Sequence, residues 1–126
     1  MLLLFLAACD GPVSECTEIG CTNVVILHVS KDSGAPVDPP TGEVTVGDHT
    51  ITFDCLVENV EYTCDGADVT LYFTTGPGDV YVEAHNYQFV ASGTESPDWE
   101  EDRPNGPDCE PVCFTAEIDV TMYATP

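Results

Sequence analysis

Cationic side chains are almost missing from this chain. Its 126 residues hold two Lys plus Arg against 23 Asp plus Glu, a formal charge of −21 with the three histidines neutral. Nucleic-acid binding is excluded on that count, because its affinity comes from Lys and Arg neutralising phosphates. Lys31 and Arg103 cannot form a basic patch, so electrostatic attraction to an anionic lipid surface fails as well. Catalytic motifs are also lacking: there is no G-x-S-x-G, H-E-x-x-H, P-loop or G-x-G-x-x-G. His28 falls in an apolar strand, His49 beside a turn and His85 in a strand, positions that suit structural or surface roles. The adjacent Glu100, Glu101 and Asp102 invite a glycosidase reading, which needs two carboxylates flanking a bound sugar. Acids are so abundant here that neighbours arise by chance, and one small domain leaves little room for such a cleft. The expectation is a protein that is not an enzyme.

What is present begins at the N-terminus. Residues 1–8 are wholly apolar and run into Leu6-Ala7-Ala8-Cys9. That run is too short to cross a bilayer as a helix, which takes about 20 residues. It suits the apolar segment and small-residue end of a secretory signal. The last four residues resemble a bacterial lipoprotein box, which implies cleavage before Cys9 and lipidation of its thiol. No Lys or Arg precedes the run, and a start further upstream would supply both the missing charge and the missing length. Asp10 resembles an inner-membrane retention signal of some bacteria, a rule too variable to choose between inner and outer membrane. Localisation is therefore expected at the bacterial cell envelope, on its periplasmic face or at the cell surface, with the membrane reached through a lipid anchor.

Seven cysteines support the same compartment. Setting Cys9 aside leaves Cys16, Cys21, Cys55, Cys64, Cys109 and Cys113, an even set that reads as a disulfide framework in an exported chain. Spacings of five, nine and four fit neither paired C-x₂-C zinc knuckles nor a redox C-x-x-C. Cys55 and Cys64 sit on neighbouring strands joined by a short turn and should pair. The other four remain open between local pairs (Cys16 with Cys21, Cys109 with Cys113) and bridges crossed between the two ends of the chain.

Length allows a single domain. Residues 1–8 form the signal segment, 9–22 a Gly-, Pro- and acid-rich tether, and 23–126 the folded domain. A hydrophobic content of 43% over the whole chain and repeated period-two alternation within the domain exclude disorder. Val25, Leu27 and Val29 open a β-branched run; residues 43–46 and 50–57 flank the turn Gly47-Asp48 as a hairpin. Val60, Tyr62 and Cys64 continue at period two, Asp65-Gly66 breaks the chain, and Val69, Leu71 and Phe73 alternate with polar residues. After Gly76-Pro77-Gly78 come Val80, Val82 and Ala84, then a short strand over 88–91, and finally Ala116, Ile118, Val120 and Met122. Seven or eight short strands without a helix predict an all-β, antiparallel β-sandwich, immunoglobulin-like or transthyretin-like, stapled by disulfides. An immunoglobulin Cys…Trp…Cys spacing is lacking, and so is any internal repeat.

The stretch 93–108 stands apart, with three prolines, six acids, Trp99 and Arg103 and no period. A structureless loop of that length in a small domain is usually functional or pinned. Trp99 is a candidate partner-binding anchor, although covering a sheet edge or core rim would occupy it equally well. Asp98, Glu100 and Asp102 alternate and are candidate Ca²⁺ ligands, since that ion takes six to eight oxygens. A solvated acidic surface explains the same residues, and no cofactor is required. Together the Cys-x₄-Cys before the first strand, the mid-chain pair and Pro104-Asn105-Gly106-Pro107-Asp108-Cys109-Glu110-Pro111-Val112-Cys113 resemble a group of small lipid-anchored bacterial proteins with a β-sandwich-like domain. That resemblance implies envelope localisation and fold, and no activity. The functional expectation is a cell-envelope lipoprotein presenting an acidic domain for contact with a protein or surface, with a calcium-stabilised extracellular domain as the alternative.

Overall fold

The computed structural model describes residues 20–37 and 39–125. The expected lipidation site Cys9 and the disulfide candidate Cys16 lie outside these residues.

The described chain is all-β, as its alternation predicts. Its strands are β1 (Asn23–Lys31), β2 (Thr41–Val46), β3 (His49–Asp54), β4 (Tyr62–Asp65), β5 (Asp68–Phe73), β6 (Val80–Asn86), β7 (Phe89–Glu95), β8 (Glu100–Asp102) and β9 (Cys113–Ala124). Three tight hairpins organise it. Gly47 and Gly66, at the turns β2–β3 and β4–β5, carry φ of +65° and +62°, a backbone conformation that favours glycine. At the β6–β7 turn the corresponding strain falls on Tyr87, whose φ is +50°.

Hydrogen-bonded neighbours follow the order β3-β2-β6-β7-β9-β1-β5-β4, with β8 added beside β9. Seven of the eight strand pairings are antiparallel, but β1 and β9 run parallel from Val24↔Thr115 to Lys31↔Met122. The sheet is therefore mixed, and it curls almost into a barrel. A parallel pair between the first and last strands requires a long excursion between them, and the rest of the domain is that excursion. The two ends of the order, β3 and β4, meet at the Cys55–Cys64 disulfide and at the Tyr62 hydroxyl, which lies 3.0 Å from the Asp54 carbonyl oxygen.

Inward positions of the alternating strands make one core. Val25 and Leu27 of β1, Val44 and Val46 of β2, Val69 and Leu71 of β5, and Met122 of β9 are fully buried. Val37, from the segment joining β1 to β2, completes it, its N–H reaching the Val29 carbonyl. At roughly 1.5–3 kcal/mol per fully buried aliphatic side chain, this cluster is the main favourable term holding the curled sheet shut. Gly42 shows how closely β2 and β6 approach: a Cβ there would sit 2.0 Å from the Glu83 carbonyl oxygen.

Three expectations change. The stretch 93–108 is not one structureless loop: β7 extends to Glu95 and β8 pairs with β9 through Glu100↔Thr115, Glu101↔Phe114 and Asp102↔Cys113. An acidic three-residue strand with no apolar alternation has no local signature and exists because a neighbour offers a free edge. The second arm of the first hairpin ends at Asp54, so Leu56 and Val57 leave the sheet, and Val60 does not continue the period of Tyr62 and Cys64. Finally, Cys21 bonds Cys113 across 92 residues, which rules out local pairing of Cys16 with Cys21 and of Cys109 with Cys113. Cys109 is itself disulfide-bonded. The Cys55–Cys64 bridge is present as expected.

Candidate functional site

The segment between Cys55 and Cys64 carries the most unusual surface among the described residues. Leu56, Val57 and Val60 are 78%, 55% and 93% exposed. Single exposed aliphatics are ordinary on any protein, whereas three within five residues of one loop form a patch.

This loop is held open rather than left loose. Asp54 ends β3 and turns the chain: its side-chain Oδ1 accepts the Leu56 N–H at 3.0 Å, and its carbonyl accepts the Val57 N–H at 2.9 Å. Asn59 does the same for the second corner, its Oδ1 accepting the Glu61 N–H at 2.9 Å. Buried Tyr62 stands beneath, its ring edge-on to Phe53. Its hydroxyl lies 2.9 Å from the Val57 carbonyl and accepts the Asp54 N–H at 3.2 Å. The disulfide then closes the loop. With both corners and the floor fixed, the aliphatic side chains cannot fold back onto the core, and they rim a concavity of about 660 Å³ together with Glu58 and Asn59.

The sequence pointed elsewhere, to Trp99 and the acids beside it. Trp99 is half-buried against the core rim, and its Nε1–H donates to the Gly78 carbonyl at 2.8 Å. One side of it, with Pro77 and Pro97, borders a shallow depression of about 310 Å³. Asp98 and Glu100 line a second depression with Thr115 and Glu117, and Asp102 lies further along β8, level with Cys113. Among the described residues no three His, Cys, Asp or Glu side chains converge closely enough to hold a metal ion.

Acids dominate both outer faces, and the histidines are set among them. His28 on β1 is clamped between Asp68 of β5, 3.0 Å from Nδ1, and Glu117 of β9, 2.9 Å from Nε2. Both ring nitrogens face carboxylates, an arrangement satisfied only by the imidazolium, which donates at both. The hydrogen bond to Glu117, then that to Asp68, raises the His28 pKa above its ordinary value. On the other face Glu83 accepts from the Tyr81 hydroxyl at 2.9 Å and meets His85 at 3.1 Å. Those contacts, Tyr81 foremost, hold the Glu83 carboxyl below the usual range, and the same bond raises the Tyr81 phenol. Elsewhere like charges face each other directly, at Glu43↔Glu83 and at Asp65↔Asp68. These outer faces are solvated electrostatic surfaces.

Comparison with protein-family models, with curated proteins and with solved structures gave no match to this chain.

Proposed function

We propose that this chain is a non-enzymatic lipoprotein of the bacterial cell envelope, held at the membrane through Cys9, that uses the pinned loop between Cys55 and Cys64 to contact a protein partner. The observation that carries the interaction reading is the exposure of Leu56, Val57 and Val60 on a loop fixed by a disulfide and by the Tyr62 hydroxyl. Burying one such side chain is worth about 1.5–3 kcal/mol, and a rigid loop loses little entropy on docking. Glu58 and Glu61 flank the patch and favour a partner pocket with a basic rim over a lipid bilayer, where their carboxylates would stay unpaired. Envelope localisation is supported by disulfide bonding, which persists in oxidising compartments, and by the lipoprotein-box resemblance at Leu6-Ala7-Ala8-Cys9.

Two measurements test the two halves. Intact mass of the membrane-extracted protein should begin at Cys9 and include acyl chains; a soluble chain that keeps Met1 refutes the anchor. For the loop, a photocrosslinking amino acid placed at Val60 in producing cells should yield one discrete adduct, absent when the probe sits at Thr52 on the outward face of β3. That adduct should vanish when Leu56 and Val57 are both changed to Ser. Equal crosslinking from Val60 and Thr52, or none from Val60, overturns the interaction reading.

A further inference from the structure

A second surface is defined by backbone rather than side chains. On one side β9 pairs with β1 along its length; on the other it meets β8 at residues 113–115 and β7 only at Tyr123 and Ala124. Between those contacts, no strand among the described residues lies beside residues 116–122 of β9 on that side. β7 mirrors this: β6 pairs with all of it, while β9 pairs only with Phe89 and Val90, leaving residues 91–95 with one free edge. The curled sheet is thus zipped at one end of the β7–β9 seam and open along the rest. A strand edge with unpaired N–H and C=O groups is a template for another extended chain.

The open part of the seam reaches the core. A cavity of about 100 Å³ lies there, with Val82, Ile118 and Val120 among the residues that line it. These three keep 4%, 5% and 7% exposure, while Val80, Ala84 and Met122 beside them keep none. The opening exists because β7 puts small residues, Ala91 and Gly93, at the inward positions that follow Phe89. Phe89 and Ala91 pack against the core, and the next residue of that parity is Gly93, around which an added Cβ would meet nothing within 4 Å. The wall lacks a side chain at that point.

We propose that the β7–β9 seam takes an extended cationic peptide segment of another protein as an added strand, with its alternate apolar side chains filling the space beside Gly93. Free backbone edges select an extended chain over a lipid or small solute. Period two puts every second side chain of that strand over Val82, Ile118 and Val120. Glu95 and Asp119 line the seam, and of the two cations in the chain Lys31 sits over the Phe89 ring at the zipped end while Arg103 pairs with Glu101. A second copy of this chain, at −21, would meet repulsion there, whereas lysine or arginine in the incoming strand would be attracted. This proposal stands apart from the loop at residues 55–64, which is on other strands.

The test uses the full-length oxidised protein and a synthetic heptapeptide of alternating lysine and valine, at about 150 mM salt to limit non-specific attraction. Amide hydrogen exchange is followed by NMR. In the free protein, amides pointing out of the open edges of 91–95 and 116–121 should exchange fast. With the peptide they should slow by about tenfold or more. A peptide of equal charge with its central valine replaced by proline, which cannot extend as a strand, should give no protection. Gly93→Val should fill the space and abolish the protection, while β1 and β5 amides keep theirs and report an intact fold. Absence of protection with the valine peptide, equal protection with the proline peptide, or protection that survives in G93V each overturns the proposal.

Discussion

Replacing the Cys21–Cys113 pair should be the most damaging two-residue change that leaves every strand sequence but one position intact. This bridge joins the residue two places before β1 to the first residue of β9, at the start of the parallel register Val24↔Thr115. It therefore closes, in the unfolded chain, the long loop that the β1–β9 pairing must otherwise close by itself. Loop-closure entropy for a separation of 92 residues corresponds to about 4.6 kcal/mol, against about 2.7 kcal/mol for the nine-residue separation of Cys55 and Cys64. Both bridges should be removed as double alanine variants, so that the lost sulfur packing is comparable. Because Cys109 is also disulfide-bonded, the comparison is made in a background with Cys16 and Cys109 both alanine, where no other bridge spans the ends. Urea unfolding should then give a loss near 4.6 kcal/mol for C21A/C113A and near 2.7 kcal/mol for C55A/C64A. If Cys16 bonds Cys109, restoring both should lower the cost of C21A/C113A to about 2.7 kcal/mol, because the remaining ring is then only about ten residues around. Equal losses for the two bridges in the stripped background would refute the loop-closure reasoning.

Other consequences can be measured directly. Glu43 and Glu83 face each other across β2 and β6, so Glu43→Lys should stabilise by about 0.2–1 kcal/mol and should weaken the rise of melting temperature with NaCl expected of the parent; a parent melting temperature flat in NaCl and CaCl₂ would show that the acids are already spaced or neutralised. Tyr87 holds φ +50° with its side chain 96% exposed, so Tyr87→Gly relieves a left-handed backbone without losing packing and should raise stability by up to about 1 kcal/mol in thermal melts. His28 has a raised pKa in the folded state, hence its contribution is fully present below the unfolded value near 6.5 and is lost as pH rises through the folded value; His28→Gln should flatten that part of the stability–pH curve, and an unchanged curve would sink the assignment.

Strands, hairpins and one bridge were legible in the residue order because their causes are local. Alternation such as Val69, Leu71 and Phe73 against Asp68, Thr70 and Tyr72 needs only a half-buried sheet to make sense of it. Gly47 and Gly66 mark turns through a conformational freedom that belongs to the residue itself. Cys55 and Cys64 are brought together by the turn between their own strands. The loop between them was hidden for a related reason: Val57 and Val60 have the composition of strand residues, and only the neighbours available in space put them outside the sheet.

The residue order alone determined that the chain is all-β, acidic and built with paired cysteines, since period-two hydrophobicity, side-chain charge and thiol count are properties of the chain before it folds. Tertiary structure decided the rest. It set the parallel partnership of β1 with β9, and with it the crossed bridge Cys21–Cys113 in place of two local ones. It made a strand of Glu100–Asp102, lifted Leu56, Val57 and Val60 into water, and left β7 and β9 zipped at one end and open at the other. Each of these depends on which edges lie side by side after some ninety residues of intervening chain have folded. Such proximity is chosen by burial of the whole core, so no local stretch of sequence encodes it.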